Sequence, residues 1–184
     1  FANINIIQMQ KENHMNLESF VRTIEDYPQP GISFKDITTL LKNGEAYKYA
    51  VDQMVNNLKN KNIDYIIGMD ARGFIFGAAV AYGLGVGFIP ARKPNKLPSE
   101  VIGCEYDLEY GKNIIEIHKD AIQPGDRIVI IDDLLATGGT AGAVEKLVKN
   151  LQGELIGFEF LIELDALEGR KNLENQNINV LIHY

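Results

Sequence analysis

The stretch "IVIIDDLLATGGT", residues 128–140, carries the strongest structural and chemical pattern in the chain. Four β-branched apolar residues lead into Asp132 and Asp133, and a run of small residues follows. An unbroken apolar run of this kind is typical of a strand buried on both faces in a parallel sheet. We therefore predict a strand over residues 127–132 that ends on the two carboxylates, then a loop, then a helix over residues 139–150.

The rest of the chain alternates between strand and helix patterns. Apolar runs predict further strands at 63–69, 86–91 and 154–164, and a helix is predicted to begin near Phe74 and end near Leu84. This alternation implies an α/β fold with a central, mostly parallel sheet flanked by helices. In such sheets ligands bind at the carboxyl ends of the strands. Three polar pairs are expected there: Asp70 with Arg72, Arg92 with Lys93, and Asp132 with Asp133.

The remaining segments are predicted to build smaller parts of one domain that covers residues 15–184. Helical spacing predicts helices over residues 17–26 and 45–59, and the mixed segment 32–41 is interpreted as a small N-terminal hood. Residues 106–111 and 113–118 predict a β-hairpin or extended arm. Residues 1–14 are interpreted as a cloning remnant or a disordered extension, because Met15 opens a better-patterned segment.

Composition excludes several classes of protein. The formal net charge of −7 argues against a broad nucleic-acid-binding face. Residues 73–91 contain no charge, but glycines and Pro90 interrupt them, so we predict a buried helix and strand rather than a membrane span. Cys104 is the single cysteine, so no intrachain disulfide can form. This cysteine usage fits a reducing cytosol and predicts a cytoplasmic protein.

The opening stretch has the chemistry of a sugar-phosphate site. A helix that starts near Gly138 presents unpaired backbone amides, which favour a phosphate, and Thr137 and Thr140 add hydroxyl donors. Asp132 and Asp133 would repel a phosphate, but they can accept hydrogen bonds from a polyol or stabilise positive charge on a sugar ring. The alternative is that both are a cap and a turn residue. A Walker-type nucleotide site is set aside because the chain contains no G-x-x-x-x-G-K-[ST].

These residues resemble a known family. The apolar run followed by "DDLLATGGT" is similar to the phosphoribosyl-diphosphate signature of the type I phosphoribosyltransferases. The segments "DYPQPGISFKDIT", "MDARGFIFG", "RKPNKLP" and "YDLEYG" resemble its adenine phosphoribosyltransferase members, in the same order. The resemblance implies purine salvage, in which adenine and phosphoribosyl diphosphate give AMP and diphosphate. It also implies a homodimer and Mg²⁺, with the metal held mainly by the substrate diphosphate and ribose and no dedicated protein ligand.

The resemblance further implies roles for individual residues. Asp132, Asp133 and Glu109 would act in catalysis, with Glu109 and Tyr110 in a mobile arm over the site. Adenine would be contacted by Ser33, Phe34 and Lys35. Phosphoribosyl diphosphate would be bound by Asp70, Ala71, Arg72, Arg92, Lys93, Lys96, Asp132, Asp133, Ala136, Thr137, Gly138, Gly139 and Thr140.

Two other functions stay open on the sequence alone. Main-chain groups that read the purine leave no side-chain pattern, so an enzyme for a 6-oxopurine such as xanthine or hypoxanthine is the near alternative. A non-catalytic regulator that senses phosphoribosyl diphosphate is the alternative from another class. Such a regulator would typically carry a nucleic-acid-binding segment or a broad basic face, and the sequence shows neither. No nucleic-acid or membrane partner is therefore predicted.

Overall fold

The computed structural model describes residues 15–107 and 112–184. These residues divide into two compact units, a smaller N-terminal unit that ends at Tyr49 and a larger unit, Ala50–Tyr184. Residues 1–14, which the sequence analysis assigned to an extension, lie outside the described residues.

The N-terminal unit contains a short antiparallel pair of strands. A 3₁₀ helix at Leu17–Phe20 leads into β1 (Arg22–Ile24), which pairs with β2 (Phe34–Asp36). Helix α1 (Thr38–Lys42) follows, and α2 (Gly44–Leu58) begins in this unit. The predicted helix over residues 17–26 is therefore wrong beyond its first turn. Its second half is rich in β-branched residues, and pairing with β2 overrides the helical spacing.

The larger unit is built around a five-stranded parallel sheet in the order β4-β3-β7-β8-β9. This arrangement confirms the predicted α/β fold class, although β9 had not been predicted from the sequence. A separate antiparallel hairpin of β5 and β6 confirms that a β-hairpin is present, but its first strand is Val101–Asp107 rather than the predicted residues 106–111, of which 108–111 lie outside the described residues. The elements in chain order are β3 (Tyr65–Met69), α3 (Gly73–Leu84), β4 (Gly87–Ala91), β5 (Val101–Asp107), β6 (Lys112–His118), β7 (Arg127–Leu135), α4 (Gly139–Asn150), β8 (Glu154–Glu163) and β9 (Ile178–His183), with 3₁₀ helices at Asp165–Leu167 and Gly169–Asn172.

The strand order reverses its direction between β3 and β7. From β3 the chain moves outward to β4 on one side, whereas β7, β8 and β9 follow one another on the other side. A reversal of this kind opens a crevice at the carboxyl edge of a parallel sheet, where ligands bind. Residues 132–140, which run from the end of β7 to the start of α4, lie at this point of the sheet.

Strand β7 is longer than the sequence predicted. Its pairing with β3 stops at Ile131, but its pairing with β8 continues as far as Leu135. The prediction that the strand ends on Asp132 is therefore wrong. Strand β8 is one residue longer than β7 and supplies partners for the last residues of β7, so both carboxylates lie within a strand. The edge of residues 132–135 that faces away from β8 is not covered by β3.

Alternation along the strands places α3 and α4 on different faces of the sheet. Ile67 and Ile130 belong to the core cluster that contains Val144, Leu147 and Val148 of α4. The alternate residues of the same strands point to the other face. There α3 packs so closely that a Cβ at Gly77 would lie 3.2 Å from the Cα of Gly68.

The uncharged segment 73–91 forms the predicted helix and strand. Helix α3 ends before Gly85, whose positive φ of 70° reverses the chain, and β4 begins two residues later. Glycine adopts this left-handed conformation without the steric cost that a side chain adds. Within residues 15–107 and 112–184, no helix combines the length and apolar character needed to cross a membrane.

Candidate active site

A small pocket lies where β7 leads into α4. Its volume is about 80 Å³, well below the roughly 300–1,000 Å³ of sites that enclose a whole drug-sized ligand. It is therefore sized for one group, such as a phosphate, rather than for a complete nucleotide. The lining residues are Met69, Asp132, Leu134, Leu135, Ala136, Thr137, Gly138, Gly139, Thr140 and Ala141.

Backbone conformation shapes this pocket. Gly138 is the residue before α4 and has a φ of 80° and a ψ of −2°, which is left-handed. A residue with a Cβ would be strained here, and that Cβ would also collide with the carbonyl oxygen of Gly169. After this turn the first amides of α4 have no partner within the helix, and they carry partial positive charge. All five predicted phosphate-loop residues, 136–140, therefore line one pocket at a helix amino terminus.

The two adjacent carboxylates differ in their surroundings. Asp132 lines the pocket, and its Oδ1 accepts a hydrogen bond from the backbone N–H of Asp133 at 2.9 Å. It also lies against the start of α3, where a Cβ at Gly73 would lie only 2.7 Å from the same oxygen. Asp133 is 3% exposed, and its Oδ2 lies 3.0 Å from Arg72 Nε. Despite this ion pair, Oδ2 accepts no hydrogen bond from the residues that the structure describes.

Burial and mutual repulsion disfavour two negative charges in this place. Burial, and next the neighbouring Asp133 carboxylate, raises the pKa of Asp132 well above its ordinary value. Burial also raises the pKa of Asp133, although the Arg72 guanidinium opposes that shift. Raised carboxyl pKa values in a pocket are typical of functional sites, because the energetic cost of the charge is recovered when a cation or a developing positive charge arrives.

The predicted diphosphate residues lie at the carboxyl ends of β3 and β4. The peptide bond between Asp70 and Ala71 is cis. Asp70 is paired with Arg92, whose Nε donates to Asp70 Oδ2 at 3.1 Å. Arg72 is paired with Asp133. Lys93 and Lys96 follow β4, and both are exposed.

The remaining predicted site residues belong to the N-terminal unit or to the segment between β5 and β6. Ser33, Phe34 and Lys35 belong to the N-terminal unit, where Phe34 makes an edge-on contact with Tyr27 at 5.3 Å between ring centroids. Ser33 Oγ donates to Glu25 Oε1 at 3.2 Å. Glu109 and Tyr110 lie outside the described residues, so their roles remain predictions.

A polar cluster that the sequence analysis missed lies at the carboxyl ends of β8 and β9. Glu163 is buried and accepts three hydrogen bonds from the guanidinium of Arg170, at 2.7 to 2.9 Å. His183 Nδ1 lies 2.9 Å from Asp165 Oδ1 and 3.7 Å from Glu163 Oε2. These side chains could surround a metal ion by distance alone. However, Arg170 already supplies a positive charge to both oxygens of Glu163, so this cluster is better explained as an anchor for the β8–β9 connection.

Comparison with known proteins places this arrangement in a family. Residues 35–182 match the phosphoribosyl transferase domain, so the chain is a phosphoribosyltransferase-family protein. Adenine phosphoribosyltransferase of Clostridium perfringens is 58% identical over 170 residues, which cover 92% of this chain and 99% of that protein. The chain therefore belongs to the adenine phosphoribosyltransferase family, as the motifs predicted.

Solved structures agree with this assignment. The crystal structure of adenine phosphoribosyltransferase from Thermoanaerobacter pseudethanolicus has a TM-score of 0.88 and 49% identity, covering 91% of this chain and 98% of that one. The Saccharomyces cerevisiae enzyme, solved with D-2,5-dideoxy-2,5-imino-altritol 1,6-bisphosphate and adenine, has a TM-score of 0.86 and 38% identity. It covers 90% of this chain and 96% of that chain.

Proposed function

We propose that this chain transfers the 5-phosphoribosyl group of phosphoribosyl diphosphate to N9 of adenine, which releases diphosphate and forms AMP. The observation that carries the proposal is the phosphate-sized pocket at the start of α4, directly after the acid pair of β7, in which Asp132 lines the pocket and Asp133 is buried. Family membership identifies the reaction class, and the site explains how the chain would carry it out.

The loop of residues 136–140 is proposed to bind the 5′-phosphate. Its amides and the hydroxyls of Thr137 and Thr140 are donors, and the amino terminus of α4 favours a negative charge. The pocket volume of about 80 Å³ supports one phosphate here. Binding at this point would leave the ribose pointing toward the nearby carboxylate of Asp132, which lines the same pocket.

Asp132 and Asp133 are proposed to accept hydrogen bonds from the ribose hydroxyls and to stabilise positive charge at C1′. The bond from C1′ to the diphosphate oxygen breaks as the bond from C1′ to N9 forms, so the sugar ring becomes cationic in between. A buried carboxylate interacts strongly with such a charge because little water screens it. The raised pKa values of both carboxyls support this role, since an approaching cation would favour their ionised forms.

The diphosphate is proposed to bind near the ends of β3 and β4. Arg72 would donate a forked contact to its oxygens, with Arg92, Lys93 and Lys96 as further cations and the backbone at Asp70 and Ala71 close by. In the free protein both arginines are paired with aspartates. Binding would therefore require Arg72 and Arg92 to share or exchange these partners.

Mg²⁺ is proposed as the metal of the reaction. The site is compatible with a hard cation, because carboxylate oxygens lie beside the pocket and Oδ2 of Asp133 is buried without a hydrogen bond. The ion would be held mainly by the substrate diphosphate and ribose, without a dedicated protein ligand, and would neutralise the leaving diphosphate. We expect excess chelator to abolish turnover while the thermal melt of the protein is unchanged. Full activity in metal-free buffer would contradict this proposal.

We assign adenine recognition to the N-terminal unit. We assign the transfer of the adenine proton to the segment that connects β5 and β6. Phe34 would stack on the purine, with Ser33 and Lys35 contributing main-chain contacts. Glu109, beside Tyr110 between β5 and β6, would close over the base and take part in moving its proton. The family resemblance of these segments supports both assignments.

A homodimer in the cytoplasm is proposed as the working form. Helix α3 presents an apolar stripe to solvent, with Ile75, Ala78 and Tyr82 all exposed and Tyr82 reaching 90%. Large exposed apolar side chains on one helix face favour association, and a second copy is the simplest partner. Cys104 as the single cysteine supports a reducing compartment.

The decisive experiment is incubation with phosphoribosyl diphosphate, Mg²⁺ and each nucleobase in turn, with detection of the nucleotide formed. We expect AMP from adenine and at least a hundredfold lower rates with hypoxanthine, xanthine and guanine. Preferred turnover of a 6-oxopurine would move the assignment to that class of enzyme. Tight binding of phosphoribosyl diphosphate without turnover of any base would identify a regulator instead.

A further inference from the structure

The connection between β8 and β9 touches the phosphate loop through its backbone. A Cβ at Gly169 would collide with the carbonyl oxygen of Ala136, and a Cβ at Gly138 would collide with the carbonyl oxygen of Gly169. Two backbones can approach this closely only because both positions are glycine. The 3₁₀ helix at Gly169–Asn172 therefore packs directly against the loop of residues 136–140.

One side chain of this 3₁₀ helix forms a hydrogen bond with the loop. The Nδ2 of Asn172 donates a hydrogen bond of 2.7 Å to the carbonyl oxygen of Thr137. The peptide bond between Thr137 and Gly138 is trans, so its C=O and N–H point in opposite directions. Holding the carbonyl toward Asn172 therefore directs the N–H of Gly138 away from it. In the part of the chain that the structure describes, that N–H donates to no backbone carbonyl.

Asn172 is itself held firmly. Arg170, two residues earlier in the same 3₁₀ helix, makes the three hydrogen bonds to the buried Glu163, and its Nη1 donates to the carbonyl oxygen of Ile178 at 3.3 Å. The buried side chain of Leu173 follows directly. Hence the amide of Asn172 is presented to Thr137 by a segment tied to both β8 and β9.

We propose that Asn172 is a positioning residue for the phosphate loop, which orients the Thr137–Gly138 peptide so that the Gly138 N–H is available to the 5′-phosphate of the sugar substrate. Asn172 acts through Thr137 and does not need to touch the substrate. The inference rests on the proposed function, since it assumes that residues 136–140 bind that phosphate. It adds to the proposed function a residue outside residues 128–140 that controls how tightly the loop binds the 5′-phosphate.

The test compares two ligands that each carry one end of the substrate. Ribose 5-phosphate contains the 5′-phosphate, and inorganic diphosphate contains the leaving group. Calorimetric titration with both ligands is carried out on the full chain and on Asn172→Ala. Loss of one oriented neutral hydrogen bond corresponds to a weakening of about threefold to tenfold. We expect this loss for ribose 5-phosphate, a similar rise in KM for phosphoribosyl diphosphate, and no change in diphosphate affinity or in KM for adenine.

Asn177 provides a matched control. Its Nδ2 donates to the carbonyl oxygen of Ile156 at the same distance of 2.7 Å, but near the amino end of β8. Asn177→Ala should lower the melting temperature as much as Asn172→Ala while leaving ribose 5-phosphate binding at the wild-type value. Asn172→Asp is the second variant, because it keeps the shape but turns an acceptor toward the Thr137 carbonyl. It should weaken ribose 5-phosphate at least as much as the alanine variant.

The outcomes separate this inference from the proposed function. If the wild-type chain binds ribose 5-phosphate and neither Asn172 variant weakens it beyond Asn177→Ala, the positioning role is wrong and the function stands. Equal weakening of ribose 5-phosphate and diphosphate would also overturn it, because that pattern indicates general damage to the site. If the wild-type chain does not bind ribose 5-phosphate, the assigned phosphate loop and the inference fail together.

Discussion

Glu159 should make the protein less stable as the pH rises from acidic to neutral values. This residue lies in the middle of β8 with no exposed surface. Its carboxyl accepts hydrogen bonds from Asn179 at 2.6 Å and Asn57 at 3.1 Å, and the charge of Lys61 also favours its ionised form. Burial outweighs these contacts and raises the pKa of Glu159 from 4.5 to about 7.

The direction of the effect follows from which state holds the proton. Below pH 4.5 the group is protonated in both the folded and the unfolded chain. Between pH 4.5 and 7 the unfolded chain releases this proton while the folded chain keeps it, so the free energy of unfolding falls as the pH rises. A shift from 4.5 to about 7 corresponds to about 3 kcal/mol, which is lost by pH 7 to 8.

Glu159→Gln should remove this pH dependence, because glutamine resembles the protonated acid and does not titrate. Urea unfolding of both proteins is measured at several values between pH 4 and 8. The free energy of unfolding of Glu159→Gln minus that of the wild type should increase by about 3 kcal/mol across this range. For a chain of this length that is roughly 6–12 °C in Tm. Any constant cost of reorienting the neighbouring amides cancels in the slope.

Glu154→Gln is the control for this experiment. Glu154 lies on the same strand, but its side chain is 56% exposed and pairs with Arg127 at the surface. The free energy of unfolding of Glu154→Gln minus that of the wild type should not show this increase across the same pH range. The contribution of Asp132 and Asp133, whose raised pKa values act in the same direction, is common to all three proteins and is removed by subtraction. A flat difference curve for Glu159→Gln would refute the reasoning.

Four substitutions test the site. Asp132→Asn and Asp133→Asn should each lower kcat about 10²-fold and weaken phosphoribosyl diphosphate binding far less, because the carboxylate charge matters most as the ribose ring becomes cationic. A wild-type kcat in both variants would show that the two residues have only a structural role. Glu109→Gln should melt normally and bind phosphoribosyl diphosphate, yet lose more than tenfold in AMP formation, since acid–base assistance is typically worth about 10²–10⁴-fold; near-normal kcat would exclude a catalytic role. Gly138→Ala should weaken ribose 5-phosphate and lower Tm, because it introduces strain at a φ of 80° and a collision with Gly169; unchanged titration and melting curves would contradict this.

The local pattern of the sequence was sufficient for the central elements of the fold. The apolar run before Asp132 is long and unbroken, and such a run has few alternatives to a buried strand. Residues 139–150 were predicted as a helix with the observed bounds, because the small residues before it and the helical spacing within it agree. Where two local signals conflicted, as in residues 17–26, the prediction was wrong, since strand pairing with a distant segment decided the outcome.

The phosphate loop is the part of the candidate site that the sequence by itself determined. Its residues are consecutive, so their spacing and the helix that follows are local properties of the chain. Tertiary structure alone decided the pairings around it: Arg72 with Asp133, Asp70 with Arg92, and the continuation of β7 to Leu135 alongside β8. It also placed Asn172 against Thr137. These contacts join residues that are 22 to 61 positions apart or depend on where a neighbouring strand ends. The physical reason is that partner choice depends on distance and burial in three dimensions, which no pattern along a single chain records.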